Sequence, residues 1–89
     1  MLKVRTYEDY SLVNATAYIQ HPMADEISIA IGEGAMCNFP YSVELAFFQN
    51  DEWQYSILDA FAPYWSDGVY AYVPLDLFAN FLKAYRVSS

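Results

Sequence analysis

Between Arg5 and Lys83 the sequence contains neither lysine nor arginine, although the chain is 89 residues long. The four cations lie near the two ends, whereas all eleven acidic residues fall inside this gap and give a net charge of −7. A protein that binds DNA or RNA directly needs a basic surface to neutralise phosphates, so this distribution excludes direct nucleic-acid binding. Surface acids without neighbouring cations project a negative field, and we expect that field to attract basic partners.

Cysteine and histidine are each present once, which leaves little material for catalysis or metal binding. A lone Cys37 excludes an intrachain disulfide and is typical of a reducing compartment. A nucleophilic pair would require His21 to meet Cys37, which is conceivable because both lie at loop ends of adjacent predicted strands. The acidic neighbourhood of Cys37 works against a reactive thiolate, however, and His21 precedes Pro22 in a predicted surface turn. We therefore expect a non-enzymatic protein without a cofactor or a metal ion.

A long apolar segment is also missing. No run approaches the roughly 18 residues that a membrane-spanning helix requires. The segment from Met1 to Arg5 lacks the apolar region of a secretory signal peptide. We therefore expect a cytoplasmic protein that does not contact membranes, because anionic lipids would repel its acidic body.

What the sequence does contain is a high proportion of apolar and aromatic side chains. Apolar residues make up 56% of the chain and aromatic residues 19%, including nine tyrosines. A disordered acidic tail carries far fewer of both, so we expect one folded domain over residues 1–89. Tyrosine combines an apolar ring with a polar tip, and several exposed tyrosines on one face would form an interaction surface.

Apolar and polar residues alternate along much of the chain, which indicates β-strands. Five segments show this alternation and predict an antiparallel sheet of about five strands: residues 13–20, 27–31, 41–48, 53–58 and 69–73. The first two are joined by a connection at residues 21–25. The third and fourth form the clearest hairpin, with Asn50 and Asp51 in its turn. Glycine and proline mark residues 32–40 as a loop and residues 59–68 as a long connection.

A C-terminal helix is predicted from Pro74 onward, because proline suits the first helical position. Asp76 in the first turn and Lys83 near the end complement the helix dipole. One face of this helix carries the apolar side chains that we expect to cover the sheet, namely Leu77, Phe78, Phe81, Leu82 and Tyr85. The expected fold class is therefore α+β, with the helix packed on one face of the antiparallel sheet and the other face left for solvent or a partner.

The N-terminal segment allows two interpretations. Thr6 and Asp9 have the spacing of a helix N-cap and its acidic third residue, which favours a short helical turn near residues 6–11. Alternatively, Leu2 and Val4 belong to a short strand that is followed by a turn. We favour the helical turn.

The charge distribution favours a protein that occupies a basic surface of another protein. The acids occur in pairs at predicted turns rather than along strands, so a DNA-like array of charge has to be assembled from several loops. The expected contact residues are the acids Asp25, Glu26, Glu33, Asp51, Glu52, Asp59 and Asp67 and the tyrosines Tyr18, Tyr70 and Tyr72. The expected partner is a basic protein, such as a nucleic-acid-binding enzyme or complex.

In size and charge the chain is similar to the small acidic phage proteins that block defence nucleases, the anti-CRISPR and anti-restriction proteins. This similarity is one of composition, because no motif identifies such a family. It implies an inhibitor that mimics DNA. Three other interpretations stay open. The chain is a structural or assembly module that forms a homodimer or a complex through a tyrosine-rich sheet face, an immunity or antitoxin protein that neutralises a basic toxin, or a domain whose acidity serves only solubility.

Overall fold

The computed structural model describes residues 3–7 and 12–85, with side chains from Val13 onward. Its strands are β1 (Lys3–Tyr7), β2 (Leu12–His21), β3 (Ala24–Gly32), β4 (Ser42–Gln49), β5 (Glu52–Trp53), β6 (Trp65–Ser66) and β7 (Val69–Pro74). A 3₁₀ helix spans Asp59–Tyr64, and the α-helix α1 spans Leu75–Tyr85. The predicted α+β class, an antiparallel sheet with a C-terminal helix packed against it, is confirmed.

The strands form one antiparallel sheet in the order β1-β2-β3-β4-β7-β6, and the short β5 pairs with the end of β4. Alternate residues of a strand point to opposite faces, so cross-strand partners share a face. Ala17, Ile27 and Phe47 are successive partners on β2, β3 and β4, and all are buried. We call this the covered face, because α1 and the 3₁₀ helix pack on it. The opposite face, which carries Glu26 and Phe48, is the open face.

Aromatic rings fill the space between the covered face and the helices. The ring centroid of Phe47 lies 5.9 Å from that of Phe61 in the 3₁₀ helix and 5.9 Å from that of Phe81 in α1. Tyr70 of β7 packs edge-on against Phe47 at 5.4 Å. Such ring pairs contribute about 0.5–1.5 kcal/mol beyond the area they bury, so this cluster is the main stabilising unit of the domain.

The strand predicted over residues 53–58 is wrong for most of its length. Of these residues, only Trp53 belongs to β5. Directly after β5, Nε2 of Gln54 donates a 2.6 Å hydrogen bond to the carbonyl of Met23. Leu58 then enters the core, where it is 1% exposed and its N–H donates to the Tyr70 hydroxyl. A longer β5 would compete with β7 for the same edge of β4, where β7 pairs with Ser42 to Leu45, and burial of Leu58 and Phe61 stabilises the departure from the sheet.

The helical turn predicted near residues 6–11 is wrong where the structure describes it. Thr6 belongs to β1, and Tyr7 pairs with Leu12 at the end of the β1–β2 ladder. Strand β1 pairs with residues 12–16 of β2 and so satisfies the backbone donors and acceptors along that half of the β2 edge. The strand interpretation is therefore correct for the described part. The remainder of the predicted turn, residues 8–11, lies outside the described residues.

The helix begins one residue later than predicted. Pro74 closes the β7 ladder, and Leu75 is the first helical residue. Phe78 and Phe81 are buried against the sheet, as the helical periodicity predicts. The other apolar residues of the predicted helix face pack at the margin of the core, namely Leu77, Leu82 and Tyr85.

The two ends of the sheet are built differently. One end, here called the turn end, carries three two-residue turns: Pro22-Met23, Asn50-Asp51 and Asp67-Gly68. The opposite end, here called the loop end, carries the loop of residues 33–41 and the junction between β7 and α1. Strand β3 runs from the turn end to the loop end, and its length sets a distance of about 26 Å between them.

Candidate protein-binding surface at the turn end

Backbone geometry explains why aspartate and asparagine occupy two of the turns. Asn50 and Asp51 have φ angles of 53° and 65°, and Asp67 and Gly68 have φ angles of 44° and 99°. Two central residues with positive φ are typical of the type I′ turn, whose twist matches that of the antiparallel strands it joins. Asparagine, aspartate and glycine tolerate these angles better than other residues. The turns therefore fix the positions of two exposed aspartates.

Side-chain hydrogen bonds join the first two turns to each other. Gln54 Nε2 donates to one carbonyl of the Pro22-Met23 turn at 2.6 Å, and Gln49 Nε2 donates to the other carbonyl of that turn at 3.3 Å. Asp25 Oδ2 accepts from the backbone N–H of Asn50 at 3.1 Å. Neutral amides make most of these links, so the turns are held together without a cation that would cancel the acidic charge.

The indole of Trp53 joins the third turn to the other two. Its Nε1–H donates to the Gly68 carbonyl at 2.6 Å. A Cβ atom at Gly68 would lie 3.3 Å from Cε1 of Tyr55 and 3.5 Å from Nε1 of Trp53, so both rings pack directly over the glycine. Only glycine combines this close approach with the positive φ of the turn.

An open groove of about 460 Å³ lies between the Asn50-Asp51 turn and the adjacent ends of β2 and β3. It is lined by Tyr18, Ile19, Asp25, Glu26, Asn50 and Asp51. The structure therefore brings together four of the predicted contact residues, namely Tyr18, Asp25, Glu26 and Asp51. Three carboxylates around one groove attract a cationic side chain, and the tyrosine ring offers a surface against which the apolar stem of that side chain can pack.

A row of side chains crosses the open face beside this groove. Tyr18 pairs with Glu26 across β2 and β3, and Glu26 pairs with Phe48 across β3 and β4. Trp53 of β5 continues the row, with its ring centroid 4.8 Å from that of Phe48 and 6.3 Å from that of Tyr55. Trp53 is 41% exposed and Tyr55 is 66% exposed. We call this row, formed by Tyr18, Glu26, Phe48, Trp53 and Tyr55, the aromatic row.

The other predicted contact residues are dispersed. Glu52 and Asp67 are exposed at the turn end, one beside Trp53 in the chain and the other in the turn that Trp53 contacts. Glu33 is exposed at the loop end, and Asp59 begins the 3₁₀ helix on the covered face. The last two acids therefore lie away from the groove and the aromatic row.

Tyr70 is not a surface anchor, contrary to the prediction. It is 0% exposed, and its hydroxyl accepts a 2.8 Å hydrogen bond from the N–H of Leu58. Burial raises the pKa of this phenol above its ordinary value. A bulge in β7 explains the error, because it shifts the ladder between Val43 and Leu45. Strict alternation would put Tyr70 and Tyr72 on one face, whereas the bulge buries Tyr70 and leaves Tyr72 exposed.

Sequence reasoning missed three members of the aromatic row, namely Phe48, Trp53 and Tyr55. The segment after Trp53 was expected to continue as a strand. The approach of the Trp53 and Tyr55 rings to the third turn was therefore not predicted. The register of the hairpin carried the missing signal, because a two-residue turn at Asn50-Asp51 sets Trp53 opposite Phe48. Phe48 in turn stands on the face that Glu26 occupies.

His21 and Cys37 lie toward opposite ends of the sheet, so the nucleophilic pair considered from the sequence is wrong. His21 ends β2 and is half-buried rather than a surface turn residue. Its ring lies 4.4 Å from the Tyr85 ring, and its Nδ1 accepts a 3.0 Å hydrogen bond from the Met23 N–H. Burial lowers the pKa of His21, which favours the neutral imidazole. Within residues 3–7 and 12–85, no three metal-ligating side chains cluster.

No protein-family model, curated protein or solved structure matches this chain. Among the residues that the structure describes, no helix combines the length and apolar character needed to cross a membrane.

Proposed function

We propose that this chain is a non-enzymatic acidic domain that occupies a basic surface of a partner protein. The binding surface consists of the turn end and the adjoining aromatic row. The observation that carries the proposal is the groove in which Asp25, Glu26 and Asp51 meet Tyr18, beside turns that are linked by two glutamine amides and by Asp25. A surface that is ordered before binding loses little conformational entropy when a partner arrives.

Acidic residues predominate on this surface. Asp51, Glu52 and Asp67 are exposed there, whereas Lys83, the one cation with a described side chain, lies in the last turn of α1, the helix that packs on the covered face. Complementary charge speeds association and excludes like-charged partners more than it increases affinity. The acids therefore select a basic partner, and the exposed rings of the aromatic row supply the apolar contacts from which interfaces gain most of their affinity.

A nucleic-acid decoy is the finer form of this proposal. The basic surface of the partner would then be one that binds DNA or RNA, and the carboxylates would stand in for phosphates, as in anti-CRISPR and anti-restriction proteins. The small size of the chain and its one-signed charge support this form. An immunity or antitoxin protein against a basic toxin has the same charge requirement. A cytoplasmic setting, in which Cys37 stays reduced, suits both.

A structural or assembly role is the second candidate, and the loop end favours it. Several large apolar side chains are exposed there, namely Met36, Phe39, Tyr41, Tyr72 and Leu75. Tyr72 has a φ angle of 54°, which is strained for a bulky residue, and its N–H donates to the Met36 carbonyl at 2.9 Å. Backbone strain often accompanies a functional surface. A homodimer or complex formed through this end would persist at high salt.

Two double variants with equal charge test the proposal. Asp51→Asn/Glu52→Gln removes two acids from the turn end, and Glu33→Gln/Asp59→Asn removes two acids that lie elsewhere. Each tagged protein is used for affinity capture from a host lysate at low salt, followed by a salt gradient and mass spectrometry. We expect the wild type and the second variant to retain the same basic protein, and the turn-end variant to bind it about tenfold more weakly.

Competition then separates the forms of the proposal. Displacement of the captured protein by DNA or RNA supports the decoy. A partner that is released by moderate salt but not displaced by nucleic acid supports the immunity form. Equal weakening by both double variants would contradict a turn-end site, because only overall charge would matter. A partner that resists high salt would favour assembly through the loop end.

A further inference from the structure

We propose that Trp53 and Tyr55, at the exposed end of the aromatic row, bind an arginine side chain of the basic partner. This inference rests on the proposed function, since it names the chemistry by which that partner is recognised. Where exposed rings lie beside carboxylates, a cation can stack on a ring and donate hydrogen bonds to the carboxylates at the same time. We call these two residues the aromatic shelf.

The orientation of the shelf is fixed from two sides. Its rings stack with an interplanar angle of 28° and centroids 6.3 Å apart, so the two ring planes face in nearly the same direction. Phe48 packs against Trp53 on the sheet side at 4.8 Å with an interplanar angle of 67°. On the turn side, the indole Nε1–H is held by the Gly68 carbonyl at 2.6 Å. A partner side chain therefore meets rings that need no rearrangement.

Acids lie near the shelf on the sheet side and on the turn side. Glu26 is the cross-strand partner of Phe48, against which Trp53 packs, and Asp67 directly precedes Gly68, over which both rings pack. A guanidinium that stacks on an aromatic ring keeps its N–H donors in the ring plane, where carboxylates at the rim can accept them. The ammonium of lysine is compact and strongly hydrated, so it gains less from a flat ring.

Charge complementarity identifies the occupant. A second copy of this chain would bring another net charge of −7 to a surface that is already acidic. Nucleic acid and anionic lipid would bring phosphates, which the carboxylates repel. A basic protein segment satisfies both the rings and the acids. The shelf therefore fits an arginine-bearing segment of the partner.

Two synthetic peptides of equal length and charge test this inference on the full chain. One alternates arginine with glycine and the other alternates lysine with glycine, and their affinities are measured by calorimetry at low salt. We expect the wild type to bind the arginine peptide about two- to fivefold more tightly. Tyr55→Ala should bring the ratio close to one, whereas Tyr55→Phe keeps the ring and should restore the preference.

Tyr41→Ala is the matched control, because this tyrosine is 76% exposed at the loop end and should leave the ratio unchanged. Thermal unfolding of each variant checks that the fold is retained. Equal binding of both peptides by the wild type, with sensitivity to Asp51→Asn/Glu52→Gln, would overturn the arginine shelf and leave the acidic surface intact. Failure to bind either peptide would overturn both. Self-association that Tyr55→Ala abolishes would assign the shelf to a second copy and overturn the inference.

Discussion

Aromatic side chains have different roles on the two faces of the sheet, and the adjacent residues Phe47 and Phe48 show this difference. Phe47 is 0% exposed on the covered face, where it contacts rings from both helical segments. Phe48 is half-buried on the open face and packs against a partly exposed Trp53. The same residue type therefore stabilises the fold on one face and shapes a binding surface on the other, according to what covers it.

The residues that stabilise the fold therefore differ from those that form the proposed binding surface. The core cluster holds the sheet and helices together, whereas the turn end is held by side-chain hydrogen bonds from Gln49, Gln54 and Trp53. Apart from Asp25, which accepts a hydrogen bond from the Asn50 N–H, the exposed carboxylates of the turn end take no part in these contacts. Their substitution should therefore change recognition without unfolding the domain.

The largest expected effect compares the two phenylalanines directly. Phe47→Ala should lower the free energy of unfolding by about 3–5 kcal/mol, because it leaves a cavity in the ring cluster. Phe81→Ala should act similarly. Phe48→Ala should cost less than about 2 kcal/mol, because its ring is already partly solvated. Urea denaturation of the three variants measures these differences, and equal losses for Phe47 and Phe48 would contradict the division between the faces.

A second matched pair uses the tyrosines that the β7 bulge separates. Tyr70→Phe should cost about 1–3 kcal/mol, because the buried N–H of Leu58 loses its acceptor. Tyr72→Phe alters an exposed hydroxyl and should change stability by less than about 0.5 kcal/mol. Urea denaturation again gives both values. A larger loss at Tyr72 would show that the bulge places the two rings differently.

Gly68 tests the packing of the aromatic shelf on the third turn. Gly68→Ala should cost about 1–2 kcal/mol, because the position has a φ of 99° and the new Cβ would lie 3.3 Å from Tyr55. Gly34→Ala in the exposed loop is the control and should be nearly neutral. Thermal unfolding compares them. A neutral Gly68→Ala variant that keeps the arginine preference would contradict the close packing of the shelf.

The smallest expected effect concerns His21, which packs against the C-terminal part of α1. Burial lowers the pKa of His21 below 6.5, so between the two pKa values the unfolded chain binds a proton that the folded chain does not. The stabilisation is complete above pH 6.5 and falls as the pH drops through the lower, folded-state pKa. His21→Gln should remove this part of the pH dependence. An unchanged pH profile would show that the imidazole is fully solvated.

Much of the fold follows from local sequence patterns. Alternation located β2, β3, β4 and β7, and the apolar stripe that includes Phe78 and Phe81 located the helix and its buried face. These elements were predictable because apolar residues recur in each with one period over several residues, so a single exception does not hide the pattern. The turn at Asn50-Asp51 was predictable because its residues tolerate positive φ.

The errors share a different cause, since each depends on a contact distant in sequence. Tyr70 is buried because β7 bulges against β4, and no local pattern reveals a bulge. The chain leaves the sheet soon after Trp53 because β7 occupies the next part of the same β4 edge. Of the candidate site, the acids at the turns were predictable from turn chemistry. The grouping of Tyr18 with Asp51, and the aromatic shelf, required the sheet register.

The indole N–H signals of the two tryptophans offer the most direct test, because they report separately on the two faces. Trp53 lies in the aromatic row, whereas the Trp65 ring packs 5.0 Å from the buried Tyr70. Nitrogen-15 correlation spectra are recorded while the arginine–glycine peptide is added to the full chain. We expect the Trp53 signal to shift progressively while the Trp65 signal stays fixed. A shift of Trp65 with Trp53 unmoved would place the basic ligand away from the open face and contradict the proposed binding surface.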